Sequence, residues 1–299
     1  MIASGPPFGR FETILLENEV LRVVACPALG GRILSLLDRR SGREWLVQGE
    51  PPASLQPWAR EDALFGGREA FGWDECLPTV APCPDPLDPA APPLRDHGEQ
   101  WGRAADMTAD GNVLVTQWPS ARWGYSFRRR LRLDGDRLVA SYLLANASAV
   151  PMPFLWSMHP LLRLEPGARV WLRWVETATL GGHLGSPRAP DPHRDAWEVA
   201  DISAGSALKV YARLRSPATA EARQPDRSTL RFRWDQAVAP VVGLWLDFGG
   251  WPSSEPVHQV AVEPTTSEDD DLASAVAAGR APMLPPGETL RWSVRLTLG

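Results

Sequence analysis

Apolar and polar residues alternate along most of this chain, and that period of two predicts β-strands throughout. Leu290, Trp292, Val294, Leu296 and Leu298 make one face of a final strand, and Leu230, Phe232 and Trp234 repeat the pattern upstream. Tyr125, Phe127, Leu131 and Leu133 share a parity that Arg129 interrupts. Asp134-Gly135 then predicts a hairpin turn, with LVASYLLAN as the returning strand. An earlier hairpin is expected in GRILSLLDRRSGREWLV, turning near Arg40 to Gly42. FETILLE, VLRVVAC, NVLVTQW, RVWLRWVETA, PVVGLWLDF and HQVAVE complete the strand candidates.

One helix stands out, over 268–278. Ser267 is its expected N-cap, Glu268, Asp269, Asp270 and Asp271 fill the first turn, and Gly279 ends it. Prolines cluster in APCPDPLDPAAPPLR (81–95) and GSPRAPDPHRD (185–195), which suits loops and excludes helix or central strand. Strand patterns of one kind continue on both sides of these loops, and no internal repeat is seen. The expectation is a single all-β domain over 1–299 with functional loops.

Composition changes the picture in a few places. With 299 residues, 44% of them hydrophobic, the chain can bury a large core. The net charge of −5 argues against nucleic acid as a partner. Lys209 is the only lysine among 31 basic residues, which reads as coding composition rather than phosphate binding. No signal-peptide pattern opens the sequence and no apolar run is long enough for a membrane helix, so a cytoplasmic protein is expected. Cys26, Cys76 and Cys83 read as free thiols.

Candidate chemistry rests on lone polar residues in apolar or tightly turned settings. Glu263 ends the strand pattern of VAVEP, and a carboxylate there must be solvated or paired. His159, in FLWSMHPLL, shares a strand face with Leu155 and Ser157. It reads either as a hydrogen-bonded core residue or as a general acid on a pocket floor. His97 lies between acids in Asp96-His97-Gly98-Glu99, which can hold its tautomer. Gly72-Trp73-Asp74-Glu75 and Trp251 combine indoles with acids, and fourteen tryptophans is a high count. Indole faces stack on sugar rings while carboxylates bond sugar hydroxyls, so Trp73, Asp74, Glu75 and Trp251 are candidate substrate contacts. No phosphate-binding glycine loop and no Gly-x-Ser-x-Gly elbow occurs. His183 and His193 lack the spacing of a metal site, and no metal or other cofactor is expected.

In order along the chain, LENEVLRVVACPALGGRILSLLDRRSGREWL, GWDECLPTVAP, DHGEQWG, FLWSMHPLL, GLWLDFGGWP, VAVEPTTSEDD and LPPGETLRWSVRL resemble the galactose mutarotase-like family, the aldose 1-epimerases. The likeness covers nearly the whole chain. It implies a β-supersandwich of large twisted antiparallel sheets with few helices and an open cleft. It also implies Glu263 as general base, His159 as general acid and His97 as a second, substrate-side histidine, working without a cofactor on a small sugar in a monomer or homodimer. The sequence departs from the family at the first histidine, where Asp-His-Gly-Glu replaces Asn-x-Leu-His-Gly-Gly. The family's sugar-contacting arginine has no match near GWDE. Asp201 and Asp247 are the available counterparts of its sugar-binding aspartate. A non-catalytic sugar-binding protein and a hexose-6-phosphate epimerase are the alternative readings.

Overall fold

The computed structural model describes residues 1–299 except 51–64, 67–68, 121, 186–189, 253 and 255. Part of the predicted 185–195 loop therefore lies outside the described residues. Among the described residues, strands form antiparallel sheets of eleven and nine members and a small two-stranded pair. The centre of the larger sheet runs Arg32–Asp38, Trp73–Cys76, Ser157–Leu162, His258–Thr265, Val241–Phe248 and Ser206–Leu214 as neighbours. The smaller sheet is built around Thr229–Trp234, Thr289–Leu298, Arg137–Asn146 and Tyr125–Asp134.

The alternation seen in the sequence explains how the two sheets meet. Leu290 aside, the apolar residues of the last strand are buried, as are Phe127, Leu131, Tyr142, Phe232 and Leu230. They join Ile33, Trp73, Met158, Leu244, Val260 and Val262 of the larger sheet in one continuous core. Burying an aliphatic or aromatic side chain of this size contributes roughly 1.5–3 kcal/mol each. Aromatic rings dominate the centre: Trp292 lies 5.0 Å from Trp156 and 5.3 Å from Tyr142 between ring centroids.

Two expectations change. RVWLRWVETA is two strands, Arg169–Leu172 and Val175–Leu184, in different sheets. Trp174 takes φ +57° between them, a left-handed turn that carries the chain from one layer to the other. The helix is shorter than expected, Leu272–Ala277, and its N-cap is Asp271, whose carboxylate accepts from the Ser274 amide at 2.7 Å. The acids before it are used otherwise. The Asp270 carbonyl accepts from the Val80 and Ala81 amides, and Asp269 pairs with Arg280. Those tertiary bonds hold 267–270 out of the helix, while Gly279 follows the helix end at φ +67°.

Arg129, which broke the apolar parity of its strand, is fully buried between the sheets. It pairs with Glu75 at 3.1 Å, and Glu75 also accepts from Tyr142 at 3.0 Å and from the indole N–H groups of Trp73 and Trp156. Burial outweighs the pull of Arg129 and pushes the Glu75 carboxyl from 4.5 up to about 7. Between those two values the folded chain holds a proton that the unfolded chain releases, so this group's contribution to stability falls as pH rises. Glu75→Gln, which copies the protonated acid, is expected to gain on the wild type between pH 5 and pH 8. Urea unfolding at the two pH values measures this; an equal difference at both would show that Glu75 does not titrate there.

Candidate active site

The register of the central strands decides which side chains reach the outer face of the larger sheet. Trp73 pairs across from Pro160, Asp74 from His159 and Cys76 from Ser157. Ser157 pairs with Thr265 and Leu161 with Ala261, which puts His159 level with Glu263 on the neighbouring strand. Glu263 pairs in turn with Gly243, and Gly243 with Tyr211. Because side chains alternate, Trp73, Glu75, Met158 and Val262 enter the core while Asp74, Cys76, His159 and Glu263 share the opposite face. That face opens on a small cleft of ≈ 170 Å³. Phe65, His97, His159, Lys209, Trp245, Trp251, Gln259, Glu263 and Asp270 are among the residues lining it. A larger surface groove beside Ile14 and Met107 has no histidine in its lining.

A sharp loop delivers His97. Its backbone adopts φ +56°, its amide donates to the Val80 carbonyl, and Gly98 follows at φ +76°. A Cβ at Gly98 would lie 2.1 Å from the Leu77 carbonyl oxygen, so only glycine lets the loop cross so close to the strand. Asp96 holds the ring: its Oδ1 is 2.9 Å from His97 Nδ1, and its Oδ2 accepts from the Phe65 amide at 2.6 Å. Phe65 stacks on the imidazole at 4.2 Å, and the His97 and His159 rings stand 4.8 Å apart.

Glu263 is buried and carries one satisfied oxygen. Its Oε2 accepts from Lys209 Nζ at 2.6 Å and from the Ser157 hydroxyl at 3.3 Å, while Oε1 has no hydrogen-bond partner among the described residues. His159 Nδ1 is likewise buried without a partner. Burial, with His97, Lys209 and Arg32 adding positive charge nearby, pulls the His159 imidazolium well below the usual histidine range. The ring is therefore neutral at neutral pH. Burial works against the Lys209 ammonium too, but the carboxylates of Glu263 and Asp270 overcome it and raise its value. Lys209 reaches Glu263 across the intervening strand because Gly243 leaves room. A Cβ there would stand 3.2 Å from Glu263 Oε2 and 3.4 Å from Lys209 Cε.

The sequence candidates thus divide. His97, His159, Glu263 and Trp251 meet at the cleft, with Trp251 edge-on to Trp245 at 6.1 Å. Trp73 and Glu75 do not: strand parity turns both into the core, where Trp73 is fully buried with its N–H on Glu75. Asp74 is on the cleft side but buried, with Oδ2 2.9 Å from Arg32 Nε. Arg32, distant in sequence, thus places a buried cation beside Asp74, and it is not among the residues that line the cleft. Asp201 caps a short turn through the Ser203 amide. Asp247 is buried and accepts from the Gly250 and Trp251 amides at 3.1 Å, fixing the turn that carries Trp251. Sequence reasoning missed Lys209, Phe65, Trp245, Gln259 and Asp270. Lys209 alone left a signal, as the one lysine of an arginine-rich chain set in an apolar strand, LKVYARL.

No protein-family model matches the chain, and no curated protein matches it by sequence. Solved structures do match its fold. The Slr1438 protein of Synechocystis sp. PCC 6803 is 15% identical with a TM-score of 0.69, covering 99% of this chain and 97% of its own. A galactose mutarotase related enzyme of Lactobacillus acidophilus is 16% identical with a TM-score of 0.69, covering 96% and 97%. A galactose mutarotase-like protein of Lactobacillus casei ATCC 334 is 12% identical with a TM-score of 0.65, covering 96% and 100%. The chain has the galactose mutarotase-like fold, an all-β supersandwich. At these identities the likeness speaks for the fold and leaves the chemistry to the cleft itself.

Lys209 can be observed directly, because a chain with one lysine gives one set of side-chain signals after ¹³C-lysine labelling. It is expected to titrate above 10.5 in the wild type. In Glu263→Gln the largest opposing charge is gone and burial prevails, so the value should drop. An unchanged titration would mean that the two side chains are not paired in solution.

Proposed function

We propose that this protein is an aldose 1-epimerase-like isomerase that interconverts the anomers of a sugar by acid–base ring opening and closure. One observation carries the reading: Glu263 and His159 stand level on adjacent strands in one cleft, each with an unpartnered buried polar atom, and His97 stands beside them. Two proton-carrying groups facing one small-molecule cavity are what hemiacetal opening requires.

In this reading Glu263 takes the proton from the C1 hydroxyl. The O1 electrons form the carbonyl, the bond from C1 to the ring oxygen breaks, and protonated His159 delivers a proton to that oxygen. Rotation about C1–C2 and the reverse transfers yield the other anomer. His97, fixed by Asp96, hydrogen-bonds the ring oxygen or a neighbouring hydroxyl. Lys209 holds the Glu263 carboxylate in place, and Trp251 with Trp245 offers indole surface to the C–H face of the sugar. Asp74 and Arg32 support the floor from behind rather than touching substrate.

The state of His159 favours a second reading, a sugar-binding protein without catalysis. A neutral imidazole beside a carboxylate already paired with Lys209 can bind hydroxyls without moving protons. Polarimetry and NMR line-broadening on a panel of free and phosphorylated aldoses, corrected for spontaneous mutarotation, separate the two. Glu263→Gln and His159→Asn are expected to lower the corrected rate by about 10²–10⁴-fold each with far smaller changes in sugar affinity. Unchanged rates would remove both residues from the reaction, and a wild type inactive on every aldose that it binds would favour the binder.

The pH profile is a separate test. The working acid is the imidazolium, and His159 loses its proton well below 6.5. The protonated fraction therefore falls as pH rises through that depressed value, and the alkaline limb of kcat/KM should lie below pH 6.5. Lys209→Met removes one of the charges that depress it and should move the limb upward. A limb above 6.5 in the wild type would mean that His159 is not the acid in the free enzyme.

Binding should also be visible through Trp251. A sugar that enters the cleft is expected to change intrinsic tryptophan fluorescence, and Trp251→Ala should weaken that change. A full response in the variant would place the sugar elsewhere.

A further inference from the structure

Cys76 has no part in the proton transfers described above, yet strand parity sets it on the cleft side of the sheet, opposite Ser157. Its Sγ, a ring nitrogen of His97 and a ring nitrogen of His159 all lie within 4.8 Å of one another. We propose that these three side chains form a binding site for a thiophilic divalent cation, zinc(II) by chemistry, at the floor of the cleft.

Thiolate sulfur and imidazole nitrogen are both zinc donors, and three protein ligands leave a fourth tetrahedral position open. Bonds of about 2.0–2.3 Å place tetrahedral ligands roughly 3.3–3.8 Å apart, so binding needs only a modest contraction of this triangle. The surroundings favour it. Asp96 Oδ1 lies against His97 Nδ1, which directs the lone pair of Nε2 outward, the carboxylate–imidazole arrangement that orients metal-binding histidines. His159 Nδ1 has no hydrogen-bond partner among the described residues, so no hydrogen bond seen there has to be broken. Burial, with Glu263 and Asp74 nearby, raises the Cys76 thiol well above its ordinary value. The metal must therefore displace that proton, and affinity should rise with pH as one proton is released per ion bound.

Such an ion would occupy both imidazoles that the proposed anomerisation uses. Metal binding and sugar chemistry would then exclude each other, and the cation would act as an inhibitor. That consequence rests on the proposed function, whereas binding itself does not.

Cobalt(II) titration of the reduced, metal-free protein tests binding without any activity measurement. One equivalent is expected to produce tetrahedral visible bands and a thiolate-to-cobalt charge-transfer band, and zinc(II) should displace both. Cys76→Ser should abolish the charge-transfer band, and His97→Gln should weaken binding at least tenfold. Asp96→Asn should weaken it about 10–100-fold through the orientation of His97. Cys83→Ser should leave the spectrum intact, and circular dichroism checks that each variant is folded. The site is disproved if no charge-transfer band forms, or if the band survives in folded Cys76→Ser. Should Cys76→Ser fail to fold, unchanged cobalt affinity in His97→Gln disproves it equally. A charge-transfer band in the wild type with anomerisation unchanged in Glu263→Gln overturns the proposed function alone, and loss of anomerisation in Glu263→Gln with no charge-transfer band in the wild type overturns the metal site alone.

Discussion

The period-two alternation of three neighbouring strands, Trp73–Cys76, Ser157–Leu162 and His258–Thr265, is the constraint on which the rest depends. Each strand sends one set of side chains into the core between the sheets and the other set to the cleft. Trp73, Met158 and Val262 sit in the first set, and Asp74, His159 and Glu263 in the second. A shift of one residue in any of these strands would exchange the two sets, driving charge into the core and indole into the cleft. Core packing therefore holds the candidate site in register. The loops at 65–66 and 94–101 then close over one end of it, burying Phe65, Trp101, Leu161 and Ala261 together.

Buried charge is the second organising influence. The larger sheet carries Arg32 with Asp74 and Lys209 with Glu263 on its cleft face, while Arg129 and Glu75 meet between the sheets. Each pair offsets a desolvation cost that neither partner could meet alone. His159 has no such partner among the described residues, and burial, with the positive charges around it, holds it neutral. The cleft floor thus pairs the Glu263 side chain with the Lys209 ammonium beside a neutral imidazole.

Thirty arginines and one lysine seemed to say only something about composition. In the folded chain that lysine reaches the carboxylate at the centre of the cleft, through the gap left by Gly243. The four tryptophans Trp45, Trp73, Trp101 and Trp156 are fully buried, while Trp245 and Trp251 line the cleft. Indoles serve both roles in one molecule, and residue type alone does not separate them.

Alternation along the chain was enough to establish the all-β class, most strands and the hairpins around Gly42 and Gly135, because those features depend on near neighbours and on burial of one face. The apolar context of His159 and Glu263 marked them as costly and therefore suspect. Several things lay beyond the sequence. The division of RVWLRWVETA between two sheets, the release of 267–270 from the helix, and the sorting of Trp73 and Glu75 into the core all depend on which strand lies alongside. So do the pairing of Lys209 with Glu263, of Arg32 with Asp74, and the meeting of Cys76 with two histidines. These contacts join residues far apart in sequence, and nothing in the local pattern of one segment reports the register of another. Tertiary structure decided them because hydrogen-bonded pairing between strands, rather than any property within a strand, fixes which side chains come within reach.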